Sequence, residues 1–194
     1  MWTDAGDVPV VDEGTLLIRV GGGDRGAMAE LIDRVQGPLW RVCLAWAGDE
    51  GAAEDALQET FIAILRHASS FHGASARAWM FQIARNAARR RHRRRAGEPA
   101  RFEGEEALAL RAGWGADPFD LVAAGESERV AARALAALDD DDRAVLTLRD
   151  IEGLSGPEVA AALEVPLAVM KSRLHRARLR WMAAARAEVG DVAG

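Results

Sequence analysis

The sequence predicts an all-α protein made of two small helical domains joined by a flexible acidic linker. Apolar residues recur at intervals of three and four, the period of an amphipathic helix, and no strand-like alternation persists. Charge is segregated as well: residues 77–95 carry eight arginines and no acid, whereas residues 98–128 carry eight acids against two arginines. The acidic segment is also punctuated by glycine and proline, which indicates a linker between two modules.

The length of 194 residues suits two small modules better than one large core. We assign residues 1–23 to an N-terminal tail and the start of a first helix, 24–96 to the first domain, 97–128 to the linker, 129–185 to the second domain and 186–194 to a C-terminal tail. Modules this small bury limited cores, so contacts with partners are expected to matter for their stability.

The first domain is predicted to be helical throughout. Asp24 is placed to cap a helix whose apolar positions share one face, and Gly37-Pro38 is expected to end that helix and to start a second one. A third helix is predicted over residues 51–68 and a fourth over residues 78–95, which runs into the arginine-rich stretch. The third helix has an apolar stripe of Ala53, Leu57, Phe61, Ile64 and Leu65, and the fourth has a narrow seam of Trp79, Ile83 and Ala87.

The second domain is predicted to contain a helix, a tight turn and a final basic helix. The acids Asp139 to Asp142 open one helix, where negative charge offsets the positive helix end, and Gly153 ends it. Ser155 and Glu158 have the spacing of a capping box at the start of the next helix. This order of elements is that of a helix-turn-helix motif.

The final helix combines an apolar stripe with a basic surface. The stripe, expected to pack inward, consists of Met170, Leu174, Ala177 and Trp181. The basic side chains fall on other faces, where arginine can bind guanine edges and lysine or arginine can neutralise phosphates. A solvated basic face is the alternative for this helix. The arginine run of the first domain has an alternative too, as a flexible segment with nonspecific nucleic-acid contacts or as an RNA-binding adaptor.

Several other classes of protein are disfavoured by composition and motifs. The single cysteine, Cys43, lies in an apolar stretch, is expected to be a buried thiol and suits a reducing cytoplasm. The four histidines are scattered, so we expect no metal site, and nothing indicates a cofactor. No apolar run is long enough to span a bilayer, and the acidic N-terminus lacks the pattern of a signal peptide. The glycine-rich residues 21–24 lack the lysine of a phosphate-binding loop, which argues against an enzyme of that class.

Three segments together resemble the extracytoplasmic-function (ECF) group of bacterial RNA polymerase sigma factors, within the sigma-70 superfamily. Residues 53–73 resemble a helix and loop of the family's region 2, and residues 76–94 resemble the helix that follows. Residues 146–181 are similar to region 4, and the sequence KSRLHRAR within them is especially typical of the family. These segments occur in the family's order, with the linker between them.

The resemblance implies an initiation factor without catalytic residues, which binds core RNA polymerase and directs it to the minus-35 and minus-10 promoter elements, where the DNA is melted. The implied polymerase-binding face is Asp55, Gln58, Glu59 and Ile62. The implied minus-10 contacts are Phe71, His72, Gly73, Arg85, Asn86, Arg89 and Arg90, and the implied minus-35 contacts are Lys171, Ser172, Arg173, His175, Arg176 and Arg178. An anti-sigma factor is the expected regulator, without direct insertion of this chain into a membrane. The alternative is a stand-alone helix-turn-helix transcriptional regulator.

The chain departs from the common family pattern in region 4. Ala168-Val169-Met170 stands where many relatives have Gly-Thr-Val, and the missing threonine implies the loss of a phosphate or backbone contact. Glu164 replaces a common glycine in the turn, where a residue with a side chain and a positive φ would be strained.

Overall fold

The computed structural model describes residues 11–95 and 129–192, with side chains for residues 11–90 and 129–188, and all regular elements in these ranges are helical. The predicted all-α class is therefore confirmed; the linker and the outermost residues of both tails lie outside the described ranges. The helices are α1 (Glu13–Gly21), α2 (Arg25–Ala47), α3 (Glu50–His67), α4 (Ala76–Arg95), α5 (129–136), α6 (Asp140–Leu146), α7 (Gly156–Leu163) and α8 (Leu167–Val192). A 3-10 turn, Ala68–Ser70, follows α3, and a π-helical turn, Thr147–Ile151, continues α6.

Residues assigned to the N-terminal tail include a complete helix of their own. Asp12 caps α1, its carboxylate accepting a hydrogen bond from the backbone N–H of Thr15 at 3.0 Å. Leu16 and Leu17 are fully buried, and α1 packs on α2. Helix α1 is thus part of the first module's core rather than an appendage to it.

Helix α2 does not break at Pro38, so the prediction of two helices there is wrong. It runs from Asp24, whose carboxylate accepts from the Ala27 N–H at 3.0 Å, through Pro38 to Ala47. A proline inside a helix removes one backbone hydrogen bond and crowds the preceding turn. Here Leu39 and the residues after it are buried in the same core as the residues before the proline, and this packing keeps the two segments in one helix.

Helices α3 and α4 complete the first module, with two changes to the predicted stripes. Leu65 of α3 is 58% exposed and does not belong to the buried stripe, although Ile64 beside it is fully buried. In α4, Trp79 and Ile83 are only half-buried and pack at the edge of the core. The fully buried seam of α4 instead consists of Met80, Phe81, Ala84, Ala87 and Ala88. The core therefore contacts α4 on a face rotated from the one predicted.

The second module has the predicted caps and the predicted helix-turn-helix order. Asp139 caps α6, accepting from the Asp142 N–H at 2.8 Å, and Ser155 and Glu158 form both bonds of a capping box at α7. Gly153 has φ 71°, a conformation that favours glycine, where the chain leaves the π-helical turn. The inward stripe of α8 is buried as expected, with Trp181 half-buried at its end.

The two modules pack directly against each other in the described ranges. Helix α4 lies against α7, and α2 lies against α6. Arg41 of α2 forms an ion pair with Glu152, whose side chain is 2% exposed, through contacts of 2.5 and 3.2 Å. Arg143 of α6 donates to the Ala45 carbonyl of α2 at 3.0 Å. This junction was not predicted, since the sequence pattern indicated modules joined only by a linker.

Candidate polymerase and nucleic-acid interfaces

One face of α3 presents acidic, amide and apolar groups to solvent. Asp55 and Gln58 are exposed, and Ile62, one turn farther on, is 49% exposed. Glu59 is half-buried and accepts a hydrogen bond from Arg90 Nη2 of α4 at 2.8 Å. These four residues follow the three-and-four spacing that places side chains on one helical face, and exposed Leu65 extends the face. Such a face combines apolar area with negative charge, which suits a basic protein partner.

The loop between α3 and α4 has an anchored start and an exposed tip. The rings of Phe71 and Trp79 lie 5.6 Å apart at an interplanar angle of 57° and pack against the core. His72 and Gly73 are exposed. The structure therefore uses Phe71 partly for packing, while the next two predicted site residues are accessible to a ligand.

Arg85 of α4 is covered by the second module. It is 8% exposed, and its Nη1 lies 2.7 Å from Glu164 Oε2. Gln82, one turn earlier, donates to Glu164 Oε1 at 2.8 Å. Asn86 is half-buried beside them. A residue predicted to hold DNA is thus occupied by a carboxylate of the same chain.

Two further arginines of α4 lie at the end of the part of this helix whose side chains are described. Arg89 is exposed, and its guanidinium lies 5.2 Å from the ring of Trp46, which Arg85 also approaches at 5.7 Å. Arg90 is exposed and paired with Glu59, which links the predicted DNA side of α4 to the predicted polymerase face. Trp46 was not a predicted site residue, since its place at the end of an apolar helix indicated only core packing.

The basic face of α8 is open to solvent. Lys171, Ser172, His175 and Arg176 are all exposed and lie on neighbouring turns. Arg173 is half-buried and paired with Asp141 at 2.8 Å, and Arg178 is paired with Asp150 at 2.6 Å. Lys171, His175 and Arg176 therefore form a basic patch without carboxylate partners among the residues whose side chains are described, whereas Arg173 and Arg178 are held by acids of their own module.

A cleft of about 490 Å³ lies between the modules and brings both basic helices together. Arg89 and Trp46 line it from the first module, and Arg173, Arg176 and Arg180 line it from α8; Asp139 to Asp142 complete the lining. The two predicted DNA surfaces thus border the same cleft in this arrangement.

Hydrogen bonds and burial shift the pKa values of several charged groups on these surfaces and at the junction between the modules. The hydrogen bond to Asp150 raises the pKa of Arg178, whereas burial lowers the pKa of Arg143. Hydrogen bonds from Gln82 and then Arg85 lower the pKa of Glu164 below its ordinary value. Glu164 is therefore ionised at neutral pH and carries a full negative charge at the junction.

Within residues 11–95 and 129–192, no group of three or more histidine, cysteine, aspartate or glutamate side chains is arranged to hold a metal ion. No helix in that part of the chain has the length and apolar character needed to cross a bilayer.

The sequence did not point to the acids and polar groups that join the modules. In the sequence, Glu158 was explained by a capping box and Glu164 lay in a turn, and Glu152 was not singled out. The positive φ expected at Glu164 was the one available signal, and the structure has it at φ 54°. Its partners in α4 lie about 80 positions away in sequence, so periodicity carried no information about them.

Two family models match the chain. Sigma-70 region 2 matches residues 31–98, and Sigma-70, region 4 matches residues 129–180. Together they cover more than half of the sequence, one on each module.

Curated relatives extend the match over most of the chain. The ECF RNA polymerase sigma-E factor of Escherichia coli (strain K12) is 31% identical over 170 residues, which span 84% of this chain and 88% of that protein. The RNA polymerase sigma-H factor of Pseudomonas aeruginosa is 30% identical over 174 residues, with the same coverage of 84% and 88%. The ECF RNA polymerase sigma factor SigW of Bacillus subtilis is 29% identical over 163 residues, covering 80% and 87%.

Solved structures share the fold. CnrH, solved in complex with the cytosolic domain of CnrY, matches with a TM-score of 0.63 and 24% identity over 90% of this chain and 97% of that one. The sigma factor RpoE of Bartonella quintana, solved in complex with the anti-sigma factor NepR, matches with a TM-score of 0.61 and 22% identity over 81% and 96%. Together, the sequence relatives and both region models show that this chain belongs to the ECF group of sigma-70 family RNA polymerase sigma factors.

Proposed function

We propose that this chain binds core RNA polymerase, directs it to promoters through separate upstream and downstream DNA contacts, and promotes melting of the downstream element. The observation that carries the proposal is the pairing, within one chain, of an exposed acidic-amide face on α3 with an exposed basic face on a helix-turn-helix. A stand-alone regulator needs the second face but has no use for the first. Family membership favours the sigma factor over that alternative.

The α3 face is the proposed polymerase site. Asp55, Gln58 and Glu59 offer oxygen and amide groups, and Ile62 adds apolar area at the end of the same face. Residues that combine a charged rim with a large exposed apolar side chain are suited to a protein interface. A basic helical surface on the polymerase is the chemistry that this face would recognise.

DNA contacts are divided between the two basic helices. The open patch of α8, with Lys171 and Arg176 at its centre, is the proposed reader of the double-stranded minus-35 element. The proposed site for the melted minus-10 strand is the loop tip at His72 and Gly73 together with Asn86, Arg89 and neighbouring arginines of α4. Aromatic and basic groups of such a site bind unpaired bases and phosphates.

Regulation and location complete the proposal. An anti-sigma factor is the proposed inhibitor, because the two structural relatives named above were solved with CnrY and with NepR. We place the chain in the cytoplasm, where polymerase and promoters are, and assign it no catalytic chemistry of its own.

The deciding experiment is in vitro transcription of a fragmented genomic template by core RNA polymerase, with and without this protein. Discrete protein-dependent start sites are expected and would give both promoter elements at once.

Lys171→Ala with Arg176→Ala should reduce promoter-specific transcription and spare polymerase binding, whereas Gln58→Ala with Glu59→Ala should weaken polymerase binding itself. If both double variants change both assays equally, the assignment of separate faces is wrong. If no new starts appear although the folded protein binds DNA, the stand-alone regulator is the better description.

A further inference from the structure

The cleft between the modules has the size of a small-molecule site. Its volume of about 490 Å³ falls within the range of about 300–1,000 Å³ that such sites have. The second module contributes Asp139 to Asp142, at the start of α6, and three arginines of α8. The first module contributes Trp46, near the end of α2, and Arg89 of α4. Side chains of both modules therefore surround a space that a small ligand can fill.

Each aspartate of the cleft is already paired with an arginine of its own module. The pairs are Asp139 and Asp142 with Arg180, Asp141 with Arg173, and Asp140 with Arg143. The distances are 3.2 Å for Asp139, 2.8 Å for Asp141 and 3.1 Å for Asp140. A paired carboxylate keeps lone pairs that accept further hydrogen bonds. These acids therefore give the cleft acceptors whose charge is largely offset.

Two arginines of the cleft, Arg89 and Arg176, have no carboxylate partner among the described side chains, and both are exposed. Arg176 Nε donates to the backbone carbonyl of Ser172 at 3.4 Å. The guanidinium of Arg89 lies 5.2 Å from the ring of Trp46, a cation–π contact that holds the side chain without consuming its N–H donors. The charge of Glu164 acts on Arg89 from a distance, while both of its oxygens accept bonds from other side chains of α4.

The indole of Trp46 supplies another unused donor. The residue is 3% exposed, and its Nε1 is buried without a hydrogen-bond partner in the described part of the chain. An unpaired buried donor is costly, and an acceptor that reaches it relieves the cost. With the two guanidinium groups of Arg89 and Arg176, the unused hydrogen-bonding capacity beside the paired acids consists of donors. Donors of this kind select an anion.

We propose that the cleft binds a nucleotide that carries two or more phosphates. Guanidinium groups form short, charge-assisted and often bidentate bonds with phosphate oxygens, so Arg89 and Arg176 hold the phosphates. Carboxylates accept from hydroxyl and amino groups, so Asp139 to Asp142 receive the sugar and the base. A nucleotide combines a phosphate end with an end rich in hydroxyl and N–H groups. The lining of the cleft offers the complementary groups in the same way.

A bound nucleotide has a consequence for DNA binding, and this consequence rests on the proposed function. Arg89 is assigned to the minus-10 element and Arg176 to the minus-35 element. Phosphates of a nucleotide in the cleft occupy both side chains, so the ligand competes with both promoter elements. The proposed polymerase face on α3 does not line the cleft, and Asp55, Gln58 and Ile62 on it are exposed. The nucleotide therefore acts on promoter binding and not on polymerase binding.

Binding is tested by isothermal titration calorimetry of the full chain with GTP, ATP and inorganic triphosphate, at fixed ionic strength and without divalent cations. One saturable site per chain is expected. At least one nucleotide should bind about threefold or more tightly than inorganic triphosphate, because its sugar and base add hydrogen bonds. Inorganic triphosphate that binds as tightly as both nucleotides would overturn the nucleotide assignment. No saturable binding of any of the three would overturn the site.

The position of the site is tested with an Arg89→Ala, Arg176→Ala variant. Its affinity for the nucleotide is expected to fall about tenfold or more, since two charge-assisted contacts are lost. The matched control is Arg66→Ala, Arg186→Ala, which removes one exposed arginine from each module, and neither of these side chains lines the cleft. The control should lose about twofold or less. Equal losses would mean nonspecific attraction of anions to positive charge and would overturn the site.

The two single variants show whether the ligand contacts both modules. Arg89→Ala and Arg176→Ala are each expected to weaken nucleotide binding, because the two side chains hold the same molecule. A loss confined to one of them would overturn the cleft as the site. Circular dichroism of the variants checks that the helices are intact, which is expected because both side chains are exposed.

Competition is measured separately, with the upstream promoter duplex. At a nucleotide concentration of about ten times its dissociation constant, duplex binding should weaken by about tenfold. Unchanged duplex affinity would overturn the competition. Nucleotide binding itself needs neither polymerase nor promoter, so failed transcription with intact nucleotide binding would overturn the proposed function alone. Successful transcription without nucleotide binding would overturn this inference alone.

Discussion

The arginines at the junction between the modules and those on α8 have the same chemistry but opposite environments. The side chains of Arg143, Arg85 and Arg41 at the junction are 4%, 10% and 16% exposed, whereas those of Arg178 and Arg180 on α8 are 51% and 55% exposed. The junction side chains bind groups of the partner module; the α8 side chains contact solvent or nearby acids. Burial and partners, rather than the density of positive charge, therefore decide which arginines are accessible to a ligand in this arrangement.

Arg143 is the extreme case of the first group. Its guanidinium donates to the backbone carbonyls of Leu135 at 3.2 Å, Ala136 at 3.0 Å and Ala45 at 3.0 Å, and it pairs with Asp140 at 3.1 Å. These acceptors include the end of α5 and a carbonyl near the end of α2, where helices leave backbone oxygens unbonded. One side chain thus satisfies two helix ends in two modules.

The largest effect is expected from Arg143→Ala. It removes a buried cation and leaves several buried carbonyls without donors, so the free energy of unfolding should fall by about 3–5 kcal/mol. Urea denaturation followed by circular dichroism measures the loss. Arg178→Ala is the matched control, because a surface ion pair such as Arg178–Asp150 is worth only about 0–1 kcal/mol. Equal losses of stability for the two variants would show that buried junction arginines and exposed α8 arginines do not differ in this respect.

A smaller effect is expected within α8 itself. Arg176→Ala should lower the affinity for the upstream promoter duplex by about tenfold or more, as for loss of a base-reading arginine. Arg178 is already paired with Asp150, so Arg178→Ala should cost about threefold or less. Electrophoretic mobility shifts at fixed salt give both values, and Arg186→Ala, farther along the helix, is the control. If Arg178→Ala proves the more damaging change, pairing with an acid does not mark a residue as structural.

The smallest effect on the free energy of unfolding is expected from the loss of the helix cap at the start of α7. Ser155→Ala removes the bond to the Glu158 N–H and should lower the free energy of unfolding by about 1 kcal/mol. Ser155→Gly should lose less, since glycine is tolerated at this position. Thermal denaturation distinguishes the two. A loss as large as that of Arg143→Ala would mean that the cap, and not the buried arginine, dominates the stability of this module.

Local features of the fold were predictable, because they depend on residues close in sequence. The caps at Asp24, Asp139 and Ser155, the end at Gly153 and the stripe of α8 follow from spacing and from side-chain hydrogen bonding over three or four residues. Pro38 shows the limit: core packing on both sides of it outweighs the lost backbone bond, and the sequence does not reveal that packing.

The candidate site was predictable as a set of helical faces but not as an arrangement. Spacing along α3 and α8 places the predicted residues on one side of each helix, whichever way the modules are oriented. The state of Arg85 depends on Glu164, 79 positions away, and the pairing requires the two modules to meet. No local pattern encodes that meeting, so burial of a predicted DNA contact came from the structure alone.

The rate at which Cys43 reacts with a thiol reagent reports on the opening of the first module. It is the single cysteine, is fully buried in α2 near Thr60 of α3, and burial raises the pKa of its thiol to about 12. A thiol reagent reaches it only when α2 and α3 part, because attack requires both access and the thiolate. The alkylation rate therefore reports opening inside the first module, and it should stay unchanged in variants that merely move the two modules apart.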